Sequence, residues 1–157
     1  MVNREKIYDA LFEKLKQVEG IVTFSRRLRH WDEVEAYEQP ALFLSPVSET
    51  VEPRSGQDSR YLMRANVYLY VYAEDAPSER LNECLDRLFA VLNTPSPITG
   101  QPSLPVEGVA YCRIEGHVEL DEGLFGNQAF AFPAAVGRCV QNLSGLRQAA
   151  GNLREEV

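Results

Sequence analysis

The chain has 157 residues, 45% of them hydrophobic, and a formal net charge of −7. This length predicts one domain, which can bury enough apolar surface to fold without a metal or a disulfide. The acidic balance argues against non-specific nucleic-acid binding, which needs Lys and Arg to neutralise phosphates, and we expect neither a signal peptide nor a membrane span.

The N-terminal part of the chain predicts a helix, a short strand and a long loop. Residues 3–19 repeat apolar side chains at helical spacing, and Gly20 is a typical helix stop. Residues 21–25 predict a strand because they are rich in β-branched side chains. Residues 26–40 predict an ordered loop, and a loop of this length indicates a function or a partner.

The next two strands are predicted to form a hairpin around the turn cluster at residues 53–58. The first strand begins at residues 41–45 and extends toward Val51. Pro46 predicts an edge position or a bulge there, because proline has no N–H to donate to a ladder.

Residues 61–72 alternate so strictly that they give the clearest strand signal in the chain. One face is mostly aliphatic and should meet the helices. The other face carries Tyr68, Tyr70 and Tyr72 beside two polar side chains. Three tyrosines in register are typical of a protein interface, where one end of each ring is dry and the other wet.

The second half of the chain predicts one more helix and a second hairpin. Residues 75–93 repeat leucine at steps of four and three, and Pro77 suits the first helical turn. Residues 94–108, which contain Pro and Gly, predict an exposed loop. Residues 109–120 and 128–140 predict two paired strands.

These elements, in the order α-β-β-β-α-β-β, predict a two-layer α+β domain. It should contain a mainly antiparallel sheet of four to five strands packed by two amphipathic helices. The domain is expected over residues 1–140, with residues 141–157 as a C-terminal tail or arm. The cysteines are too widely spaced for a metal site, so free buried thiols are expected; they are Cys84, Cys112 and Cys139.

The most distinctive segment lies in the loop at residues 26–40, where three arginines precede the only Trp and an acidic run. Arg and Trp are enriched at interface hot spots, and the nearby carboxylates disfavour binding to phosphates. We favour a protein interface over a solvated loop with weak internal ion pairs. The candidate interface residues are Arg26, Arg27, Arg29, Trp31, Asp32 and Glu33, together with Tyr68, Tyr70 and Tyr72.

Acidic side chains on the second hairpin are the best candidates for catalytic residues. Paired carboxylates on one strand face can support hydrolysis, but a solvated acidic face is the commoner role. A nucleophilic set of Cys112, His117 and Asp121 is disfavoured, because residues five apart on a strand point to opposite faces. No cofactor or metal is expected. The acidic residues are Glu115, Glu119, Asp121 and Glu122.

Three segments occur together in a specific combination. They are VEGIV at 18–22, SRRLRHWDEV at 25–34 followed by EQPALF at 38–43, and IEGHVELDEG at 114–123. In this combination the chain resembles the tail terminator, or tail completion, proteins of long-tailed bacteriophages. The resemblance spans about residues 3–138 and leaves the C-terminal segment outside it.

The resemblance implies a non-enzymatic virion protein that forms a hexameric ring at the head-proximal end of the tail tube. Such a ring ends polymerisation of the tail tube protein and offers a joint to the head–tail connector, or neck protein. Genomic DNA passes through the lumen without specific binding, and an acidic lumen suits this because it repels phosphate. The resemblance implies assembly in the host cytoplasm and no membrane partner.

Two other functions stay open from the sequence. One is a head-completion or neck protein that docks on the portal, since both roles use small ring-forming subunits. The other is a small hydrolase that uses Glu115, Glu119 and Asp121. A ring requires two different patches on each subunit, and the tyrosine row and the arginine-rich loop are the candidates.

Overall fold

A computed structural model describes residues 3–122 and 128–140 of the chain, without the side chains of 57–58, 116–117, 119, 121–122 and 128–140. The predicted α+β class and element order are confirmed. The predicted C-terminal tail at 141–157 lies outside the described residues. The helices and strands are α1 (Arg4–Leu15), β1 (Thr23–Ser25), β2 (Ala41–Arg54), β3 (Gln57–Tyr72), α2 (Pro77–Asn93), β4 (Val109–Glu122) and β5 (Gln128–Val140).

The five strands form one sheet in the order β1-β2-β3-β5-β4. β1 runs parallel to β2, and the other neighbouring pairs are antiparallel. Both predicted hairpins, β2–β3 and β4–β5, are therefore confirmed. Because β5 lies between β3 and β4, α2 carries the chain from β3 to the far edge of the sheet. β1 and β4 thus lie at opposite edges.

The two predictions for Pro46 are both confirmed. The β2–β3 register shifts between Pro46 and Ser48, which marks a bulge. β1 pairs with β2 only over residues 41–43, so in the described part of the chain the rest of β2 has β3 as its single neighbour. Because this part of β2 lies at an edge, the missing N–H of Pro46 breaks no hydrogen bond with a neighbouring strand.

Both helices pack on the same sheet face and bury their apolar stripes there. Asn3 caps α1 by accepting a hydrogen bond from the Lys6 amide at 3.1 Å. The buried residues include alternate positions of β3, as the sequence predicts. The core comprises Ile7, Leu11, Leu15, Val18, Leu42, Leu44, Met63, Ala65, Val67, Leu69, Val71, Leu81, Cys84, Leu88, Leu92, Leu104, Cys112 and Ile114.

Several predicted boundaries are wrong. α1 ends at Leu15 rather than near residue 19, because the chain tightens into a turn in which the Val18 amide bonds to the Leu15 carbonyl. Val18 is still buried, so its apolar spacing is explained by that turn. β1 is also shorter than predicted. On β4, Leu120 is 59% exposed, because a register shift after Ile114 interrupts the alternation of side chains between the two faces.

Candidate functional site

A second, smaller apolar cluster lies on the sheet face opposite the helices. Val34, Ala41, Phe43 and Tyr70 are buried in it, and Trp31 and Tyr68 pack against it. The Phe43 and Tyr70 rings are 5.3 Å apart and tilted by 52°, an arrangement that aromatic quadrupoles favour. The cluster fastens the loop at residues 26–40 to the sheet.

Tyr70 contributes a directed contact from the sheet to this attachment. Its hydroxyl donates a hydrogen bond of 2.9 Å to the Arg29 carbonyl, and burial raises the pKa of Tyr70 to about 12. Tyr70 is 5% exposed, so it belongs to the subunit interior. Of the three tyrosines expected at an interface, Tyr70 is thus buried within its own subunit, while Tyr68 and Tyr72 are partly exposed.

Arg26 ties the start of the loop to α1. Its guanidinium donates hydrogen bonds to Glu5 and, at 2.9 Å, to Asp9. The hydrogen bond from Arg26 holds the pKa of Glu5 below its ordinary value. Because Arg26 directly follows β1, this contact joins the end of that strand to α1. Arg26 therefore has a positioning role within the subunit.

Arg29 closes the loop on itself. It donates two hydrogen bonds of 3.0 Å to the carboxylate oxygens of Glu38, the bidentate geometry that guanidinium groups prefer. Glu38 also accepts a hydrogen bond from the Glu35 amide, and these bonds hold the pKa of Glu38 below its ordinary value. The loop is thus an ordered platform.

Arg27 differs from its two neighbours, because within the described residues no ion pair engages its side chain. It lines a surface depression of about 380 Å³ together with Ser25, Leu28, Arg29 and Glu33. Leu28 is 42% exposed. The depression lies next to β1, and hence at one edge of the sheet.

The remaining predicted loop residues have mixed roles. Trp31 is half-buried against the second cluster, with the His30 ring 5.4 Å from its own. Asp32 lies 2.6 Å from Nδ1 of His30, and Glu33 faces the depression. Trp31 is therefore partly buried by contacts within its own subunit, while Asp32 and Glu33 lie on the surface.

The acidic group on β4 is only partly described. Glu115 accepts a hydrogen bond of 2.8 Å from Arg113. The shift in register between Ile114 and Val118 breaks the simple two-step spacing from Glu115 to Glu119. The side chains of Glu119, Asp121 and Glu122 lie outside the described ones, as does that of His117.

Cys112 is buried beneath the helices and is 2% exposed. Burial raises the pKa of its thiol to about 11, so little of the nucleophilic thiolate exists at neutral pH. Cys84 is buried as well, which confirms the prediction for these two thiols, and Cys139 lies outside the described side chains. Within the described residues, His, Cys, Asp and Glu form no group of three that could hold a metal.

Sequence reasoning missed two features. It missed the residues that hold the loop at 26–40 in place, and it did not single out one strongly exposed side chain. Glu5 and Asp9 look like ordinary wet-side residues of α1, and no local pattern links them to Arg26. Ile98 lies in the loop predicted as an exposed excursion and is 91% exposed. Most of that loop is exposed or half-buried, as predicted, and only Pro102 and Leu104 are buried.

No protein-family model and no curated protein matches the chain. Among solved structures, a chain from the "Virion of native gene transfer agent (GTA) particle" aligns with a TM-score of 0.55 and 6% identity. The alignment covers 84% of this chain and 92% of that chain. The two chains share a fold. A second solved chain, 15% identical, covers 90% of this chain and 98% of its own, but its TM-score of 0.47 carries no argument.

The length and hydropathy of the described helices show whether any of them could span a membrane. Within residues 3–122 and 128–140, no helix is long and apolar enough to cross a bilayer. The longer helix, α2, has 17 residues, and its buried stripe faces the sheet.

Proposed function

We propose that the chain is a virion structural protein and acts as a tail terminator. Six copies form a ring that caps the head-proximal end of the tail tube, ends tube polymerisation and provides the joint to the head–tail connector. The observation that carries this proposal is the fold shared with a chain of a virion particle over most of both chains. The sequence resemblance supplies the position in the tail.

The described side chains support an assembly role. Several candidate residues from the sequence make contacts within the subunit: Arg26 bonds to α1, Arg29 closes the loop, and Glu115 pairs with Arg113. The buried Cys112 has a raised pKa. An ordered, self-supporting loop that presents exposed residues to a neighbour is what a rigid interface requires.

The acidic residues of the β4–β5 hairpin are proposed to face the lumen of the ring. The register of β4 with β5 sets Glu119 opposite Phe132 and Asp121 opposite Phe130. The proposal is that this acidic end of the hairpin lines the channel and keeps DNA from adhering, because like charge repels phosphate.

The test is to locate the protein in purified particles and to remove it. Labelled antibodies or a density map of the virion should place it between the tail tube and the connector. Particles that lack it should carry tail tubes longer than normal. Tubes of normal length with the protein at the portal would support a head-completion role instead.

A second experiment tests the alternative that the protein is a hydrolase. If variants of Glu115, Glu119 and Asp121 assembled normal virions while a hydrolytic activity of the purified protein disappeared, the structural proposal would be wrong. Substitution of Glu115 by Gln keeps its shape and removes its charge, and so serves as the first variant.

A further inference from the structure

An apolar row crosses one end of the sheet on the face that carries the helices. Val51 of β2 pairs with Tyr61 of β3. Tyr61 pairs with Cys139 of β5, which pairs in turn with Val109 of β4. Tyr61 and Val109 pack against the main core, and directly paired residues point to the same face of a sheet. Val51 therefore lies on the helix side as well, and these four positions form the end row.

The helix α1 crosses the strands on the inner side of the end row. Its Arg4 donates a hydrogen bond of 3.0 Å to Glu49 of β2. Near its other end, Lys14 donates one of 2.9 Å to the Ser103 carbonyl, in the loop that borders β4. Glu49 precedes Val51 by two residues, one step farther from the end of the sheet. The axis of α1 thus runs alongside the end row.

The described helices leave the end row partly open. Val51 is 48% exposed, and Tyr61 and Val109 are half-buried. Apolar surface of this kind gains free energy when another segment removes it from water.

The chain leaves the sheet at the end row. β5 ends at Val140, the residue directly after Cys139, so residues 141–157 start beside the row. Their apolar side chains recur at steps of three and four, a spacing that places them on one side of a helix. They are Leu143, Leu146, Ala150, Leu153 and Val157.

The length of this segment fits the end row. The row crosses four strands, which are three strand spacings or about 14 Å apart in total. As a helix, residues 143–157 would extend about 22 Å. The segment is therefore long enough to span the row from one side to the other, as α1 does on the inner side.

We propose that residues 141–157 fold back over the end row of their own chain and lie beside α1 as a third helix of this layer. The same chain is the favoured source because the segment starts at the row, so its effective concentration there is high. The contact lies within one subunit and does not depend on ring formation.

The reactivity of a thiol placed in the end row tests this contact in the full chain. Val51→Cys should react with a thiol reagent about tenfold more slowly than Val47→Cys. Val47 is 56% exposed and lies in the bulge of β2, outside the row. Leu146→Ser combined with Leu153→Ser should raise the rate at Val51→Cys to that at Val47→Cys. Peptide mass mapping separates the introduced thiols from the native ones.

Gln148→Ser combined with Asn152→Ser is the matched control, because both residues lie off the apolar spacing. It should leave Val51→Cys protected. Equal rates at the two introduced thiols in the otherwise unchanged chain would overturn the proposal. Protection that disappears on dilution would show that a second copy supplies the segment, and would overturn it too. Either failure would leave the proposed ring standing, since dilute protein is measured without tail tube protein.

Discussion

Removal of one hydroxyl should loosen the loop that carries the depression. Tyr70→Phe deletes the hydrogen bond to the Arg29 carbonyl and leaves the ring packed against Phe43. A net hydrogen bond contributes about 1 kcal/mol, and a partly buried carbonyl left without its donor raises the loss to about 1–2 kcal/mol. In a domain of this size each kcal/mol lowers Tm by about 2–4 °C.

The assay is urea unfolding of the parent and variant at pH 7.5, followed by tryptophan fluorescence, because Trp31 packs on the same cluster. Tyr37→Phe is the matched control, since Tyr37 is 80% exposed and should change stability by less than about 0.5 kcal/mol. If the two variants unfold alike, the loop is not fastened by Tyr70 and the reasoning fails.

Three further predictions concern stability and reactivity. The pKa of Tyr70 is raised to about 12 in the folded state. Its contribution to the free energy of unfolding is therefore complete below pH 10 and is lost as the pH rises from 10 to 12. Unfolding curves of Tyr70→Phe should lack this part of the loss of stability. Asn93→Ala should cost about 1–3 kcal/mol and speed exchange of the Ile114 amide, because the Asn93 side chain bonds both the amide and the carbonyl of Ile114. Cys84 and Cys112 should resist a thiol reagent at pH 8 until urea unfolds the chain, as mass spectrometry can show.

Long periodic segments could be predicted from the sequence. The alternation over β3 and the leucine spacing over α2 correctly predicted which face of each element meets the main core, since burial of an apolar stripe dominates these elements. The bulge at Pro46 also followed from a local rule, the missing N–H of proline. Boundaries were less predictable, because Val18 extends the helical spacing of α1 while a turn buries it.

The surface features could be predicted only in part. The arginine-rich loop stood out in composition, but its contacts depend on residues that the fold brings together, such as Arg26 with Glu5 and Asp9. Tyr70 was expected at an interface between subunits, and the structure places it inside one. Ile98 could not be distinguished from a buried loop residue such as Leu104, because both lie in the same Pro-rich segment.

The central claim is that copies of this domain assemble into a closed ring, and particle mass tests it most directly. Native mass spectrometry of the purified chain, alone and with tail tube protein, should show a species with six times the 17.7 kDa subunit mass. A single-subunit mass at every concentration and in both mixtures would contradict the account.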